Sequence, residues 1–285
     1  MRQIGTMTLE PVGERHGDPA KAPAGATLGI LLPLAGFERF TLTRAAPPEE
    51  LAAMVVGFWS VQWNIPTGER YEQAILPFPC VNLAYEHGEY RVYGPGTERF
   101  VATLTGQGWV TGVKFTPAGF SAFSRWSMRS LVDRVEAAEE VAGHIRPPTP
   151  PTPQGVMDSI TEFLRKRAAQ RTSDMELVDR LVARVQNDTS IVSAERLAKE
   201  AGISVRSLHR LFERHVGVST KWIVRRARVQ NAAERVAKGE QVDWASVALE
   251  LGYHDQSHLI RDFREQIGET PAAYAKRCVS RNGLR

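Results

Sequence analysis

Gly202–Gly217 reads GISVRSLHRLFERHVG, and Gly252–Gly268 reads GYHDQSHLIRDFREQIG. Both stretches begin and end with glycine and carry Leu-x-Arg-x-Phe in the middle. Four positions of the first stretch recur 51 residues later: Leu208, Arg210, Phe212 and Gly217 correspond to Leu259, Arg261, Phe263 and Gly268. The chain therefore contains the same predicted helix twice, and the second copy has one additional residue in the turn before it.

A short helix is predicted before each of these two stretches, in SAERLAKEAG and in WASVALELG. The glycine that follows it suits a sharp turn, because glycine accepts positive φ without steric cost. The apolar residues of the following helix recur on one side. This pattern predicts two helix-turn-helix units, in which the second helix of each unit enters the DNA major groove.

The segment between the two units, residues 219–238, predicts a longer amphipathic helix. Ser219 or Thr220 suits its start and Gly239 its end. At about 1.5 Å per residue this helix spans roughly 30 Å, close to the turn of about 34 Å in B-DNA. A single chain could then supply two half-site contacts in successive major grooves.

The outward side of each second helix carries groups suited to DNA. Arginine pairs with guanine and glutamine with adenine, whereas serine suits phosphates. The candidate DNA-binding residues are Arg206, Ser207, His209, Arg210 and Arg214 in the first unit, and Gln256, Ser257, His258, Arg261 and Arg264 in the second. The alternative is that they are only the solvated faces of two surface helices. The duplicated spacing, the turn glycines and the charge favour DNA.

The charge distribution agrees with a polyanionic partner. Residues 175–285 hold 19 Lys and Arg against 14 Asp and Glu, a net charge of +5, whereas residues 1–174 hold 17 against 18, a net of −1. The composition, 42% hydrophobic and 24% charged, is that of a globular protein. An apolar run long enough to span a membrane and a secretory signal are both absent from the sequence, so we expect a cytoplasmic protein and no membrane partner.

The sequence predicts an α+β protein in two parts. We expect a flexible segment over residues 1–26, a ligand-sensing or dimerisation domain over 27–145, a proline-rich linker over 146–153, and connecting helices with the double helix-turn-helix domain over 154–285 (core 174–278). Short β-like runs in the first part predict a barrel or jelly-roll-like unit, with a hairpin connection at Glu86–Glu89. Helical pieces are expected at 47–57 and 118–142, and further helices at 156–169 and 174–186.

Residues 248–274 read ALELGYHDQSHLIRDFREQIGETPAAY. This stretch is similar to the second half of the signature A-x-x-x-G-F-x-[DS]-x-S-x-F-x-R-x-F-[KR]-x-x-x-G-x-[TS]-P-x-x-[YF]-R, and residues 190–277 as a whole resemble the DNA-binding domain of AraC/XylS-type transcription regulators. Departures fall at Tyr253, at His258 with Leu259, and at Ala275. The resemblance implies seven helices, with Arg228 as a linker-helix arginine.

The same resemblance implies base or near-base contacts and partners. By the pattern these contacts are Arg206, His209, Arg210, Gln256, Ser257, His258 and Arg261. The implied partners are double-stranded promoter or operator DNA, RNA polymerase, a small-molecule effector and a second copy of the chain. The N-terminal part looks like an uncharacterised domain found ahead of such DNA-binding domains, and less like a sugar-sensing cupin. The segments that carry this likeness are 58–63, 76–86, 92–100 and 112–120.

The first part also offers a candidate ligand site. Aromatic residues that could line a cavity for a small apolar or planar ligand are Trp59, Trp63, Phe78, Tyr85 and Trp109, although packing in a core is the favoured explanation for each of them. Cys80 with His87 could form a nucleophile pair, but a lone cysteine is usually a small buried hydrophobe. The histidines lack metal-ligand spacing, so we expect no metal, no cofactor and no catalytic residue.

Two other functions compete with ligand-controlled regulation. One is a DNA-modification or repair enzyme tethered by the same kind of domain, which needs an N-terminal cysteine cluster where this chain has Cys80 alone. The other is a DNA binder that responds to no ligand.

Overall fold

A computed structural model describes residues 10–11, 38–76, 78–167, 170–237 and 243–282. The N-terminal part consists mainly of strands: β1 (Glu10–Pro11), β2 (Phe40–Ala45), β3 (Val55–Asn64), β4 (Tyr71–Ile75), β5 (Asn82–Glu86), β6 (Glu89–Tyr93), β7 (Phe100–Leu104), β8 (Gln107–Phe115) and β9 (Val135–Ala137). Short 3-10 helices lie at Glu49–Leu51, Gly119–Ala122 and Met128–Leu131.

Helices make up the remainder: α1 (Ala138–Val141), α2 (Pro153–Arg167), α3 (Ser173–Asn187), α4 (Ala194–Ala201), α5 (Val205–His215), α6 (Thr220–Ala237), α7 (Trp244–Glu250), α8 (Gln256–Ile267) and α9 (Pro271–Asn282). The predicted fold class, a β-rich N-terminal domain followed by a helical domain with two helix-turn-helix units, is confirmed. The seven helices that the resemblance implies are α3 to α9, counted among the described residues. The predicted segment 1–26 and Gly239 lie outside these residues, apart from β1.

Seven strands form one antiparallel sheet in the linear order β1-β2-β3-β8-β5-β6-β9, and β4 pairs with β7 in a separate two-stranded ribbon. The connection between β5 and β6 is the predicted hairpin, with Glu86 paired to Glu89 and positive φ at His87 and Gly88. Such a two-residue turn matches the twist of the flanking strands.

The two faces of the sheet bury different cores. Phe58 and Val113 point toward α2 and share the large core with Val156 and Ile160 of that helix. The opposite face carries Trp63, which packs beneath the ribbon in a smaller core. The alternation of side chains along a strand produces this division.

Two predicted helical pieces are wrong. Residues 47–57 contain only the 3-10 turn at Glu49–Leu51, because Val55 and Val56 already belong to β3. Residues 118–142 are divided into two 3-10 helices, the strand β9 and the four-residue helix α1. β-branched residues favour strands, and β3 gains pairing on both sides that a helix would lose.

The linker helix α6 passes from one core to the other. Ile223 and Val224 near its start belong to the large core, which includes the first helix-turn-helix unit. Val229 and Val236 in its second half belong to the core of the second unit. The helix thus packs against both units along its length.

Candidate nucleic-acid interface

The first unit consists of α4, a glycine turn and α5. Ser193 caps α4, and Gly202 ends it with φ of 67°. The backbone N–H of Ile203 donates to the Ala198 carbonyl over 3.1 Å, which closes the turn. Ser204 then caps α5 by accepting a hydrogen bond from the Ser207 N–H over 3.1 Å.

The second unit repeats these bonds between equivalent residues. Gly252 ends α7 with φ of 71°, and the Tyr253 N–H donates to the Ala248 carbonyl over 2.8 Å. Asp255 caps α8 by accepting from the His258 N–H over 2.8 Å, and this bond lowers the pKa of the Asp255 carboxyl. The two turns are therefore the same structure built from two different local sequences.

Apolar residues fix the orientation of α5 and α8. Leu208 and Phe212 are fully buried under α5, and Leu259 and Phe263 are fully buried under α8. Because these residues hold the inner side, the opposite side of each helix faces solvent.

The structure places all ten predicted DNA-binding residues outside the core. Eight are exposed, namely Arg206, His209, Arg210, Arg214, Gln256, Ser257, Arg261 and Arg264. Ser207 and His258 are partly buried. Ser207 accepts a hydrogen bond from the Ser204 hydroxyl over 3.0 Å, and the His258 ring lies edge-on to Tyr253 at 5.1 Å between centroids.

The glutamates and the arginines of the two units differ in their ion pairing. Four glutamates, one on each helix of the units, pair with arginines from other elements: Glu200 with Arg184, Glu213 with Arg129, Glu250 with Arg235 and Glu265 with Arg225. Within the described part of the chain, none of the five arginines of α5 and α8 forms an ion pair. Their guanidinium groups are free to meet phosphates or guanine edges.

Two arginines of α6 connect the two units, and the sequence did not predict their contacts. Arg228 donates to the Val192 carbonyl next to the first unit, and its guanidinium lies 5.2 Å from the Tyr253 ring of the second. The Arg225 Nε lies 2.9 Å from a carboxylate oxygen of Asp262, a buried residue of α8. The resemblance pointed to Arg228, whereas Arg225 carried no repeat or motif in the sequence.

The N-terminal domain contacts the inner side of the first recognition helix. The Ser121 hydroxyl lies 2.9 Å from Nδ1 of His215, the last residue of α5. Burial lowers the pKa of His215, and neighbouring Arg214 lowers it further. Arg129 of the N-terminal domain pairs with Glu213 over 2.5 Å.

A similar contact reaches the second unit. The Arg99 guanidinium donates to the Ile267 carbonyl at the end of α8 over 3.4 Å, and Leu76 is buried in the core of that unit. The N-terminal domain thus packs against both units.

The five predicted ligand-binding aromatics do not line one cavity. Tyr85 and Trp109 stack at 5.8 Å on the face that bears the large core. Trp59 and Trp63 lie on the opposite face, where Gly108 makes room for the Trp63 ring, since a Cβ there would lie 2.5 Å from it. Phe78 lies against Lys114. The aromatic residue type that suggested a shared cavity does not reveal which face of the sheet each residue takes.

The remaining candidate chemistry is limited. Cys80 and Cys278 are buried, and neither forms a disulfide. Burial raises the pKa of the Cys80 thiol, against the opposing influence of Lys114 and Arg226. Across the described residues, no group of three His, Cys, Asp or Glu side chains could hold a metal ion. No helix within the described ranges is both long enough and apolar enough to cross a membrane.

Comparison with known protein families gives two separate matches. Residues 43–137 match the family described as a domain of unknown function (DUF6597), and residues 197–277 match the family described as a helix-turn-helix domain.

Similar proteins match over limited lengths. The transcriptional activator NphR of a Rhodococcus species is 32% identical over 121 residues, which cover 41% of this chain and 35% of that protein. The XylDLEGF operon transcriptional activator of Pseudomonas putida is 29% identical over 89 residues, which cover 30% of this chain and 28% of that protein. A solved DNA-binding transcriptional dual regulator from Escherichia coli K-12 is 25% identical, covers 36% of this chain and 93% of that chain, and has a TM-score of 0.33. This chain spans about a third of the length of the curated relatives it matches.

Proposed function

We propose that the chain is a transcription regulator, because residues 197–277 match a helix-turn-helix domain, resemble the AraC/XylS type and follow a domain of unknown function. It binds promoter DNA through α5 and α8, which enter two successive major grooves. It acts by binding, without catalysis.

One observation carries the proposal: both recognition helices expose unpaired arginines, while the glutamate of each recognition helix, Glu213 or Glu265, is paired with an arginine of another element. Arg210 and Arg261 occupy equivalent positions in the two units and are both exposed. A helix face on which the arginines are free and the glutamate is paired attracts a polyanion, and two recognition helices in one chain give sequence specificity. The electrostatic attraction thus falls on the side of each helix that would face DNA.

The same proposal covers the other implied partners. Residues 27–145 sense a small ligand or dimerise, RNA polymerase is contacted at the promoter, and the protein works in the cytoplasm. The resemblance supports these assignments, and the contacts of the N-terminal domain with both units give a ligand a route to the DNA-binding surface.

A tethered repair enzyme fits less well. A thiol that accepts an alkyl group from DNA has to be reachable, and Cys80 is 2% exposed. Burial also raises its pKa, so that the reactive thiolate is disfavoured.

The test is binding to DNA fragments selected from the native genome, with Arg210→Ala and Arg261→Ala compared with the unmodified protein. Each substitution should cost about 1–3 kcal/mol on the selected site and relax specificity at one position. Arg70→Ala is the matched control, because that side chain is 76% exposed on the N-terminal domain and its loss should leave affinity unchanged.

Two results would be informative in opposite ways. Wild-type affinity in both variants would show that the assignment of the reading residues is wrong. Failure to enrich any sequence would contradict the proposed function itself.

A further inference from the structure

A buried carboxylate lies at the contact between the linker helix and the second recognition helix. Asp262 of α8 is 3% exposed, and its Oδ2 lies 2.9 Å from Nε of Arg225 on α6. Its other oxygen, Oδ1, lies 3.9 Å from Nε2 of His258, one turn earlier on α8. The carboxylate therefore faces a cation of the linker helix with one oxygen and a predicted DNA-binding residue with the other.

The Tyr253 ring holds His258 from a second side. The two rings lie edge-on, with 5.1 Å between their centroids. Burial raises the pKa of Tyr253, and the nearby charge of Asp262 raises it further, so the phenol stays neutral beside the carboxylate. The His258 side chain is nevertheless 41% exposed, so it is held in place and still accessible to DNA.

This arrangement belongs to the second unit alone. Tyr253 and His258 are departures from the family signature, and Asp262 stands at a position that the signature leaves open. Two departures therefore meet around one buried carboxylate. The equivalent positions of the first unit carry side chains without charge, namely Ile203, Ser207 and Leu211.

The carboxylate decides which nitrogen of the His258 ring carries the hydrogen. An ionised carboxylate only accepts hydrogen bonds, and a neutral imidazole has one donor nitrogen and one acceptor nitrogen. Because Asp262 is buried, water screens the attraction between its charge and an N–H at Nε2 only weakly. The Nε2–H tautomer is therefore favoured, and Nδ1 keeps its lone pair.

We propose that Asp262 is a positioning residue for sequence reading by the second unit. It holds the His258 ring in the Nε2–H tautomer, so that Nδ1 presents a hydrogen-bond acceptor to the major groove. An acceptor there selects a base with an exocyclic amino group, either adenine through N6 or cytosine through N4. The reading step rests on the proposed function, whereas the tautomer does not.

The first experiment identifies the tautomer without DNA. Nitrogen-15 histidine is incorporated into the full chain, and the ring shifts are recorded at a pH of about 8.5, where an imidazole is ordinarily neutral. His258→Gln identifies the signals of this ring. We expect the Nε2–H tautomer in the wild type.

Asp262→Asn should invert this tautomer. Its side-chain oxygen stays with the Arg225 donor, so its amide N–H groups face the His258 ring, and Nε2 then has to accept. The hydrogen moves to Nδ1, which becomes a donor. A wild-type ring with its hydrogen on Nδ1, or the same tautomer in both proteins, overturns the proposal.

The second experiment measures base preference by DNA selection at the same pH. The wild type should prefer adenine or cytosine about 5-fold at one base pair of the second half-site, the effect of one hydrogen bond, and the base found there distinguishes the two. Asp262→Asn should lose this preference. Glu265→Gln is the matched control and should keep it, because Glu265 lies on the same helix and pairs with the same Arg225 but is 53% exposed.

A double substitution separates positioning from a general structural role. His258→Ala should remove the same preference, and Asp262→Asn should change it no further in that background, because the carboxylate acts through the ring. A uniform loss of affinity with unchanged base preference in Asp262→Asn overturns the proposal. If that variant does not fold, Asp262→Leu combined with Arg225→Met removes the ion pair as a whole and should lose the preference likewise.

Failure of the reading step is distinguishable from failure of the proposed function. The expected tautomer in a protein that selects DNA without preferring adenine or cytosine overturns the reading step and leaves the positioning of His258. The expected tautomer in a protein that enriches no DNA sequence contradicts the proposed function and also leaves the positioning.

Discussion

Gly202 and Gly252 occupy equivalent turns but have different surroundings. Both have positive φ, at 67° and 71°. A Cβ at Gly202 would meet nothing within 4 Å, whereas a Cβ at Gly252 would lie 2.7 Å from Val192 Cγ1. Gly202→Ala should therefore cost about 1–2 kcal/mol of unfolding free energy from the backbone alone. Gly252→Ala should cost about 1–3 kcal/mol more, because of overpacking.

Chemical denaturation of the two variants measures this difference. Val192→Ala combined with Gly252→Ala should recover part of the additional cost, since it removes the methyl that the new Cβ would meet. Equal costs for the two glycine substitutions would mean that the contact with Val192 relaxes freely and that backbone strain alone governs both turns.

Individual residues differed in how far the sequence could place them. Arg210 and Arg261 were predictable because a repeat fixes which side of a helix is inside: Leu208 and Leu259 mark the buried side of both copies. Arg225 and Asp262 were not, because their contact depends on how α8 packs against α6. Sequence periodicity carries no information on such a contact between distant segments.

The linker helix is the element that sets the spacing of the two recognition helices. α6 contains 18 residues, so its axis is about 27 Å long, and it is capped by Ser219, whose hydroxyl accepts from the Trp222 N–H over 3.2 Å. Packing along both halves of this helix holds α5 and α8 at a fixed separation. Insertion of five base pairs between the half-sites should therefore lower affinity to that of a single half-site, because the second groove is rotated to the far side of the duplex.

Fluorescence anisotropy with the selected site, the insertion and a single half-site tests this expectation. A substitution of five base pairs outside both half-sites is the matched control. Affinity that is independent of spacing would show that α6 bends or that one unit binds alone.

Elements were predictable where periodicity was long and uninterrupted. The helices expected at 156–169 and 174–186 correspond to α2 and α3. The prediction of helices at 47–57 and 118–142 was wrong, because short apolar runs suit a helix and a strand equally well. Pairing partners decide between them, and those partners are far away in the sequence.

On the scale of the whole molecule, the two helix-turn-helix units differ in what they are joined to. The large core runs without interruption from the sheet through α2 and α3 to Leu208 of the first unit. The core around Leu259 is separate and receives Leu76 from the N-terminal domain. The first unit should therefore unfold together with the sheet, whereas the second can open by itself.

Leu208 and Leu259 test this division as a matched pair, since both are fully buried at equivalent positions. Replacement of either leucine by alanine should cost about 2–5 kcal/mol. Amide hydrogen exchange should then separate them: Leu208→Ala should accelerate exchange in β8 as well as in α5, because those elements share one core. Leu259→Ala should accelerate it in α7 to α9 and leave β8 protected. Equal loss of protection in β8 in both variants would mean that the two cores unfold as one. A ligand bound to the N-terminal domain would then act on both recognition helices together instead of on their relative placement.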